Sequence, residues 1–309
     1  MMKLNKLYVV LVLLAVVAPF FLYPVFLAKL LCFALFACAF NLMLGYVGLL
    51  SFGHAAFLGT GGYITGWLMM NSGLTPELAV ILGTVAAGAL GAVFGKLSVK
   101  REGIYFAMVT LALAQLVFFL YLQAPFTGGE DGMQGVSRGE LFGFIDLTDN
   151  LNMYYFVLAV FLFGFWLVHR TIHSPFGQIL KAIRENEPRA VSLGYEVNNY
   201  KWVAFTISAA LAGLAGSTKT LVFQLASLTD VHWHMSGEVV LMTLVGGVGT
   251  ILGPVVGAGV IVTMQNYLSG GELGNYVHII MGFIFVICVL AFRSGIVGEL
   301  QKVWKRNFG

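Results

Sequence analysis

Charge is what this sequence has least of. Only 10% of its 309 residues are Asp, Glu, Lys or Arg, whereas 59% are hydrophobic and the mean hydropathy is +0.89. A water-soluble domain cannot be built from so little polar surface, which leaves a multi-span membrane protein. Cysteine is scarce too. Cys32, Cys38 and Cys288 are odd in number and lie in apolar runs. The first two are six residues apart, on different helix faces, so buried thiols are expected rather than a disulfide or a metal site.

Polar groups within the apolar stretches are few: His54, Gln115, Gln224, Glu238, Gln265 and Asn266. None makes a carboxylate pair or a histidine cluster. Ion-driven carriers need mid-membrane acids for the coupling ion, so their lack argues against a self-energised transporter. A membrane-embedded enzyme would want a nucleophile or metal constellation, and none is visible. Two nucleotide motifs are near misses. "GLAGSTKT" (213–220) has Thr218 where a phosphate-binding loop needs Gly, and "GGVGTILG" (246–253) misses the dinucleotide fingerprint by one residue; neither follows a strand. No cofactor is therefore expected on this chain, and no nucleic-acid partner.

What is present is a series of segments long enough to cross a bilayer as helices. The expected architecture is an all-α polytopic integral membrane protein forming one domain over 1–309. Spans are expected at 7–27, 30–46, 53–70, 77–95, 103–122, 153–169 and 202–225, with a last helix at 276–292. The less regular stretch at 237–268 reads as two helices or as a re-entrant, broken-helix pair, giving ten or eight crossings. The apolar run after Lys6 exceeds a signal-peptide core and has no clear cleavage site, so it is read as a retained helix. Glycine is abundant, 38 residues, much of it at helical spacing: Gly249, Gly253 and Gly257; Gly91 and Gly95; Gly62 and Gly66. In lipid such ladders let helices approach closely, within the subunit first and against a partner second.

The few charges are placed asymmetrically. Lys3, Lys6, Lys96, Lys100, Arg101, the 170–201 loop and Lys302, Lys305 and Arg306 hold most of the basic residues. The positive-inside rule puts these segments and both termini in the cytoplasm. The 123–152 loop, with Glu130, Asp131, Glu140, Asp146 and Asp149 against Arg138 alone, belongs outside.

The densest charge is "KAIRENEPRAVSLG" (181–194). Residues 177–186 have helical spacing, with Ile179, Ala182 and Ile183 on one side and Lys181, Arg184 and Glu185 on the other. Pro188 interrupts, and 189–193 form a second turn stopped by Gly194. A loop serving topology alone would need neither the glutamates nor an apolar face. Two short amphipathic pieces at a membrane surface suit a partner's groove.

The island resembles the cytoplasmic coupling loop of permeases of ATP-binding-cassette (ABC) importers. The chain as a whole resembles the branched-chain amino acid permease family, in its M-type subunit. The stretches that carry the match are "GYVGLLSFGHAAFLGTGGY" (45–63), "GIYFAMVTLALAQL" (103–116), "TGGEDGM" (127–133), "SPFGQILKAIRENEPRAVSLGY" (174–195) and "EVVLMTLVGGVGTILGPVVGA" (238–258). Ala190 and Gly194 match the Ala and Gly of the general loop pattern Glu-Ala-Ala-x-x-x-Gly. Pro188 and Arg189 depart from its first two positions, and the downstream Ile-x-Leu-Pro is not found.

The resemblance implies a bacterial inner-membrane permease working with a second related permease, two cytoplasmic ABC ATPases that carry ATP and Mg, and an extracytoplasmic substrate-binding protein. The implied cargo is branched-chain or related amino acids, with urea, short amides and aromatic acids as alternatives; a passive channel is the competing class. It implies Arg184, Glu185, Asn186, Glu187, Ala190 and Gly194 as the ATPase contact. Thr127, Gly128, Gly129, Asp131 and Gly132 form a turn that caps the outer mouth or meets the binding protein. Ser51, His54, Thr110 and Gln115, at glycine-broken apolar sequence, are the pathway candidates. Glu238 reads as an acid at a helix N-terminus or a contact for a substrate ammonium.

Overall fold

The structure is a computed structural model that describes residues 2–269 together with 279, 280, 282, 283, 286 and 295–300, with side chains described from residue 10. Of the helix expected at 276–292 only 279, 280, 282, 283 and 286 are described, all helical; Cys288, the charges of Lys3 and Lys6 and those of the 302–306 tail fall outside the described residues. Nearly everything described is helical. Among the described residues five helices are long and apolar enough to cross a membrane: Pro24–Val47, Pro76–Ser98, Gly103–Gln123, Asn150–His173 and Val197–Phe223. The chain is a polytopic all-α membrane protein.

In chain order the elements are α1 (Met2–Val17), α2 (Pro24–Asn41), α3 (His54–Asn71), α4 (Pro76–Ser98), α5 (Gly103–Gln123), α6 (Asn150–His173), α7 (Pro175–Glu185), α8 (Glu187–Ser192), α9 (Val197–Phe223), α10 (Trp233–Gly246) and α11 (Gly253–Ser269). The single span expected at 7–27 is instead two pieces, parted at 18–23. Pro19 and Pro24 explain the break, because each lacks an N–H and so is accepted only in the first turn of a helix. This shift moves Lys29 from a linker into α2.

α2 and α9 are the central helices, each 78% buried within the molecule, against 28% for the peripheral α5. The outward face of α5 carries Ile104, Met108, Phe119 and Leu120, all exposed, as a lipid-facing helix should. Small residues let the inner helices meet. A methyl at Gly216 of α9 would overlap the Leu58 carbonyl of α3, and one at Gly257 of α11 would overlap the Met242 carbonyl of α10. Gly91 faces Ala209, so the glycine ladders serve contacts within the chain.

Short strands close the end opposite the island. Met133 and Gln134 pair antiparallel with Ala226 and Leu225, and residues 140–146 form a small hairpin. Arg138 clamps this loop to the end of α9: it donates to the Val222 carbonyl (2.8 Å), the Leu221 carbonyl (3.3 Å) and Asn150 Oδ1 (3.0 Å). A cation on the open carbonyls of a helix C-terminus is favourable both as hydrogen bond and against the dipole.

The stretch 237–268 resolves into the pair α10 and α11, parted by a non-helical turn at 247–252. At 14 residues α10 is shorter than a full span of roughly 20, and α11 is described over 17. Before them, the strand Leu225–Ala226 and a single 3-10 turn at Leu228–Asp230 lead to Val231, which seats against Gly59.

The packing yields a test. Gly216→Val must push α3 and α9 apart and should lower the thermal aggregation midpoint of the detergent-purified protein, at a cost of about 1–3 kcal/mol or more. Gly259→Val, which meets nothing within 4 Å, should leave the midpoint unchanged.

Candidate functional site

Two helices of the bundle are interrupted, and the interruptions meet. α2 widens into a π-turn, Leu42–Val47, and breaks at Gly48 with φ +83° before α3 begins at His54. α10 breaks at Gly247. Asn41 joins the two breaks through both ends of its amide: Nδ2 donates to the Thr250 carbonyl (2.9 Å) and Oδ1 accepts from the Gly249 N–H (2.9 Å). Asn41 is 2% exposed, so this bidentate link stands in for water at peptide groups that the helices leave open.

Hydroxyls satisfy the rest of the first break. The Phe52 N–H donates to Thr110 Oγ1 (3.2 Å), the Gly53 N–H to Ser51 Oγ (3.1 Å) and the Ala55 N–H to Ser236 Oγ (2.9 Å); Ser236 in turn donates to the Phe52 carbonyl (2.8 Å). Of the residues expected to line a pathway, Ser51 and Thr110 are thus fully buried pins of the break. His54 is buried too, ringed edge-on by Phe40, Phe57 and Phe205. Its Nε2 lies 2.8 Å from Ser208 Oγ, which gives its one proton to the Ala39 carbonyl (2.5 Å). Nε2 must therefore be the donor of this hydrogen bond. Gln115 is half-buried on α5, away from this cluster.

The charged island docks beneath the breaks as α7 and α8. Ser174 caps α7 by accepting from the Gly177 N–H (3.3 Å), and Asn186 caps α8 by accepting from the Arg189 N–H (3.0 Å). The interruption is at Asn186 rather than Pro188; Pro188 sits in the first turn of α8, where it is tolerated. The inward face is Gly177, Leu180 and Ile183, with Ile179 half-buried, whereas Ala182 turns outward, correcting the expected apolar side. Gly194, φ +88°, closes α8 in a Schellman arrangement: its N–H reaches the Val191 carbonyl (2.9 Å) and the Tyr195 N–H reaches the Ala190 carbonyl (3.2 Å).

The six residues expected at an ATPase divide by direction. Arg184 turns toward its own chain, hydrogen-bonding the Gly45 carbonyl in the π-turn while its stem crosses Gly48 and its guanidinium abuts Gly249. One cation thus touches both breaks. Glu187 pairs with Lys201 of α9 at 2.6 Å, and the Lys201 side chain is only 2% exposed. Ala190 is buried against Ile183 and Val197. Arg184 is itself exposed, and with it Glu185, Asn186 and Gly194 lie at the surface, joined by exposed Val191 and Leu193, which sequence reasoning passed over.

At the other end, Thr127 is buried and caps α5 by donating to the Tyr121 (2.5 Å) and Ala124 (2.7 Å) carbonyls. Gly128 and Gly132 take positive φ and stack so closely that neither admits a side chain, Gly132 lying on the Ala226 carbonyl. Glu130 and Asp131 face outward and Gly129 is half-buried. Nearby, Thr148 donates its N–H (2.7 Å) and hydroxyl to Asp146, holding that carboxyl below the usual range.

Buried charge is where sequence reasoning fell short. Lys219 of α9 forms an ion pair with Asp230, whose side chain is 9% exposed, and Lys29 lies near it in α2. Lys219 was hidden in the near-miss phosphate motif, Lys29 in a misplaced linker. Glu238 is not at a helix start: α10 begins at Trp233 and has no acid in its first turn. Cys32 and Cys38 are buried free thiols. Among the described residues no group of three or more His, Cys, Asp or Glu could hold a metal.

Broken helices joined at one end, with a docked amphipathic island below them, are an arrangement that suits a membrane-transport subunit. The sequence profile described as "Branched-chain amino acid transport system / permease component" matches residues 24–289. The chain belongs to that permease family, which makes it an ABC-importer permease subunit for small polar solutes. It is 26% identical to the high-affinity branched-chain amino acid transport system permease protein LivM of Escherichia coli K12, and 25% to that of Salmonella typhimurium, in each case over 87% of this chain and 68% of the relative. It is also 28% identical to the ribose import permease protein RbsC of Bacillus subtilis, over 73% of this chain and 71% of the relative. No solved structure matches it.

The Glu187–Lys201 pair gives a prediction. Glu187→Gln strands a buried cation and should destabilise the α7–α8 segment toward the lower end of about 3–5 kcal/mol, since Glu187 is partly solvated. Limited proteolysis within 174–196 should accelerate. Replacing both partners, Glu187→Leu with Lys201→Met, should restore protection; faster cleavage in the double variant than in the single one would contradict the assignment.

Proposed function

We propose that this chain is one of two permeases in an ABC importer of branched-chain or related amino acids. It works with a second permease, two cytoplasmic ATPases that bind ATP and Mg, and an extracytoplasmic binding protein. The island faces the cytoplasm with both termini, and the 123–149 region faces the periplasm. The observation that carries the reading is the contact of Arg184 with both helix breaks.

In this mechanism α7 and α8 are the lever. Their outward surface, Glu185, Asn186, Val191, Leu193 and Gly194, seats in a cleft of an ATPase, where the apolar pair supplies area and the polar groups fix register. Closure of the ATPase dimer moves the island, and Arg184 and the Glu187–Lys201 pair carry the movement to the π-turn, the 247–252 turn and the foot of α9. Segments with few continuous helical hydrogen bonds yield first, so the breaks act as hinges between outward- and inward-open forms. At the far end the glycine-rich 127–132 turn, with Glu130 and Asp131 exposed, receives the binding protein. A sugar cargo is the second reading, supported by the similarity to ribose permeases.

Two experiments test this. In proteoliposomes holding the assembled importer, Arg184→Ala should leave ATP hydrolysis running while uptake of L-leucine falls at least tenfold; proportional loss of both would place Arg184 in ATPase assembly instead. Leu193→Asp should abolish co-purification of the ATPases from detergent without lowering the amount of this chain, and full recovery of both ATPases would remove the α8 surface from the contact.

A further inference from the structure

The small hairpin at the end opposite the island has little to hold it together by itself. Glu140–Leu141 and Ile145–Asp146 pair antiparallel around a tip made of Phe142, Gly143 and Phe144. A two-stranded ladder this short is marginal. Its register also sets Glu140 opposite Asp146, two like charges face to face. Phe142 takes φ +52° ahead of Gly143 at φ +78°, so a bulky aromatic occupies the first left-handed position of a tight turn, where Asn, Asp or Gly is the usual choice.

The base of the hairpin, by contrast, is fastened. The Phe144 N–H donates to the Leu141 carbonyl (3.2 Å), the Leu147 N–H to the Gly139 carbonyl (3.2 Å) and Asn152 Nδ2 to the Asp146 carbonyl (2.9 Å). Leu147 is fully buried and Gly139 lies against Met69 and Pro76. What this base holds up is apolar. Phe142 is 60% and Phe144 80% exposed, their rings stacked with centroids 6.4 Å apart, and Ile145 is exposed beside them. Two rings kept in water by a strained turn on a firm base have the form of a preorganised anchor for a partner. The surroundings select that partner. Glu130, Asp131, Glu140, Asp146 and Asp149 are all exposed in this loop, and its one cation, Arg138, is turned onto carbonyls. Segments that dip into a lipid surface set Lys and Arg beside their apolar residues, whereas this one sets carboxylates. An apolar tip within an acidic rim fits a soluble protein with an apolar pocket edged by Lys and Arg.

We propose that the 140–146 hairpin is the anchor on which the extracytoplasmic binding protein docks, with Phe142 and Phe144 entering an apolar pocket of that protein and Glu140 meeting basic residues at the pocket's edge. The inference rests on the importer reading above and adds to the 127–132 turn the contact that carries the affinity. The rings lose little freedom on docking because the turn already holds them stacked. The rim carboxylates act earlier, in drawing the partner in, so their effect falls on the association rate.

Phe142→Gly separates docking from folding, because glycine relieves the left-handed strain while it removes the ring. The assembled importer is placed in phosphatidylcholine nanodiscs and titrated with the fluorescently labelled binding protein that co-purifies with it. Phe142→Gly and Phe144→Ser should each raise the Kd by about tenfold or more, while the thermal aggregation midpoint of Phe142→Gly stays at or above that of the wild type. Glu140→Gln should slow association severalfold at low salt and flatten its dependence on ionic strength. Wild-type Kd values in both ring variants would overturn the anchor, and so would a lowered midpoint in Phe142→Gly alongside the lost affinity, which would make the hairpin a structural element. With Phe144→Trp, the emission difference from the wild type should shift to the blue when the binding protein is added. Quenching of that emission by brominated lipid, with no response to the binding protein, would give the tip to the membrane and refute the proposal. If the wild-type importer binds no such protein at all, the importer reading fails and the anchor with it, an outcome distinct from loss in the hairpin variants alone.

Discussion

A peptide group left open inside a membrane protein must find a partner, and this chain depends on how it meets that demand at two adjacent helix breaks. Opening α2 at 42–53 and α10 at 247–252 exposes carbonyls and N–H groups where water is scarce. Asn41, Ser51, Thr110 and Ser236 satisfy them from within the bundle. Arg184 satisfies one from outside it. A cation that belongs to the surface island therefore completes the hydrogen bonding of the membrane core, and the island cannot move without the breaks feeling it.

The same economy appears at the opposite end. Arg138 closes α9 and ties down the loop that carries the short strands, and the glycine turn at 127–132 is compact because Gly128 and Gly132 stack without side chains. Between the two ends, His54 packs edge-on against Phe40, Phe57 and Phe205 in a buried aromatic cluster.

Much of this was legible in the residues. The membrane class, the positions of most spans and the two short helices of the island followed from hydropathy and periodicity, which report burial directly. What periodicity cannot report is who faces whom. Ser51 and Thr110 stood out as polar residues in apolar sequence, but their role as hydrogen-bond pins needed the fold. The resemblance groups Arg184, Glu185, Asn186, Glu187, Ala190 and Gly194 as one contact; a helix turns each residue by about 100°, so that Ala190 is buried and Glu187 half-buried while the other four are exposed. Lys29 was lost because the weight of two prolines, Pro19 and Pro24, was set below a long apolar run. Lys201 and Lys219 could not be told from topology signals, since a buried lysine declares itself only through a carboxylate brought near by folding, here Glu187 and Asp230.

The central claim is that the island and the two helix breaks move as one body through Arg184. Distances between spin labels at exposed Arg189 and at Ile251 in the second break, measured in the assembled importer at rest and with ATP trapped, address it most directly. The account predicts the same narrow distance distribution in both states, and a broadened or displaced one in the trapped state once Arg184→Ala is introduced. A distribution that shifts between states with Arg184 in place, or one indifferent to its loss, would contradict it.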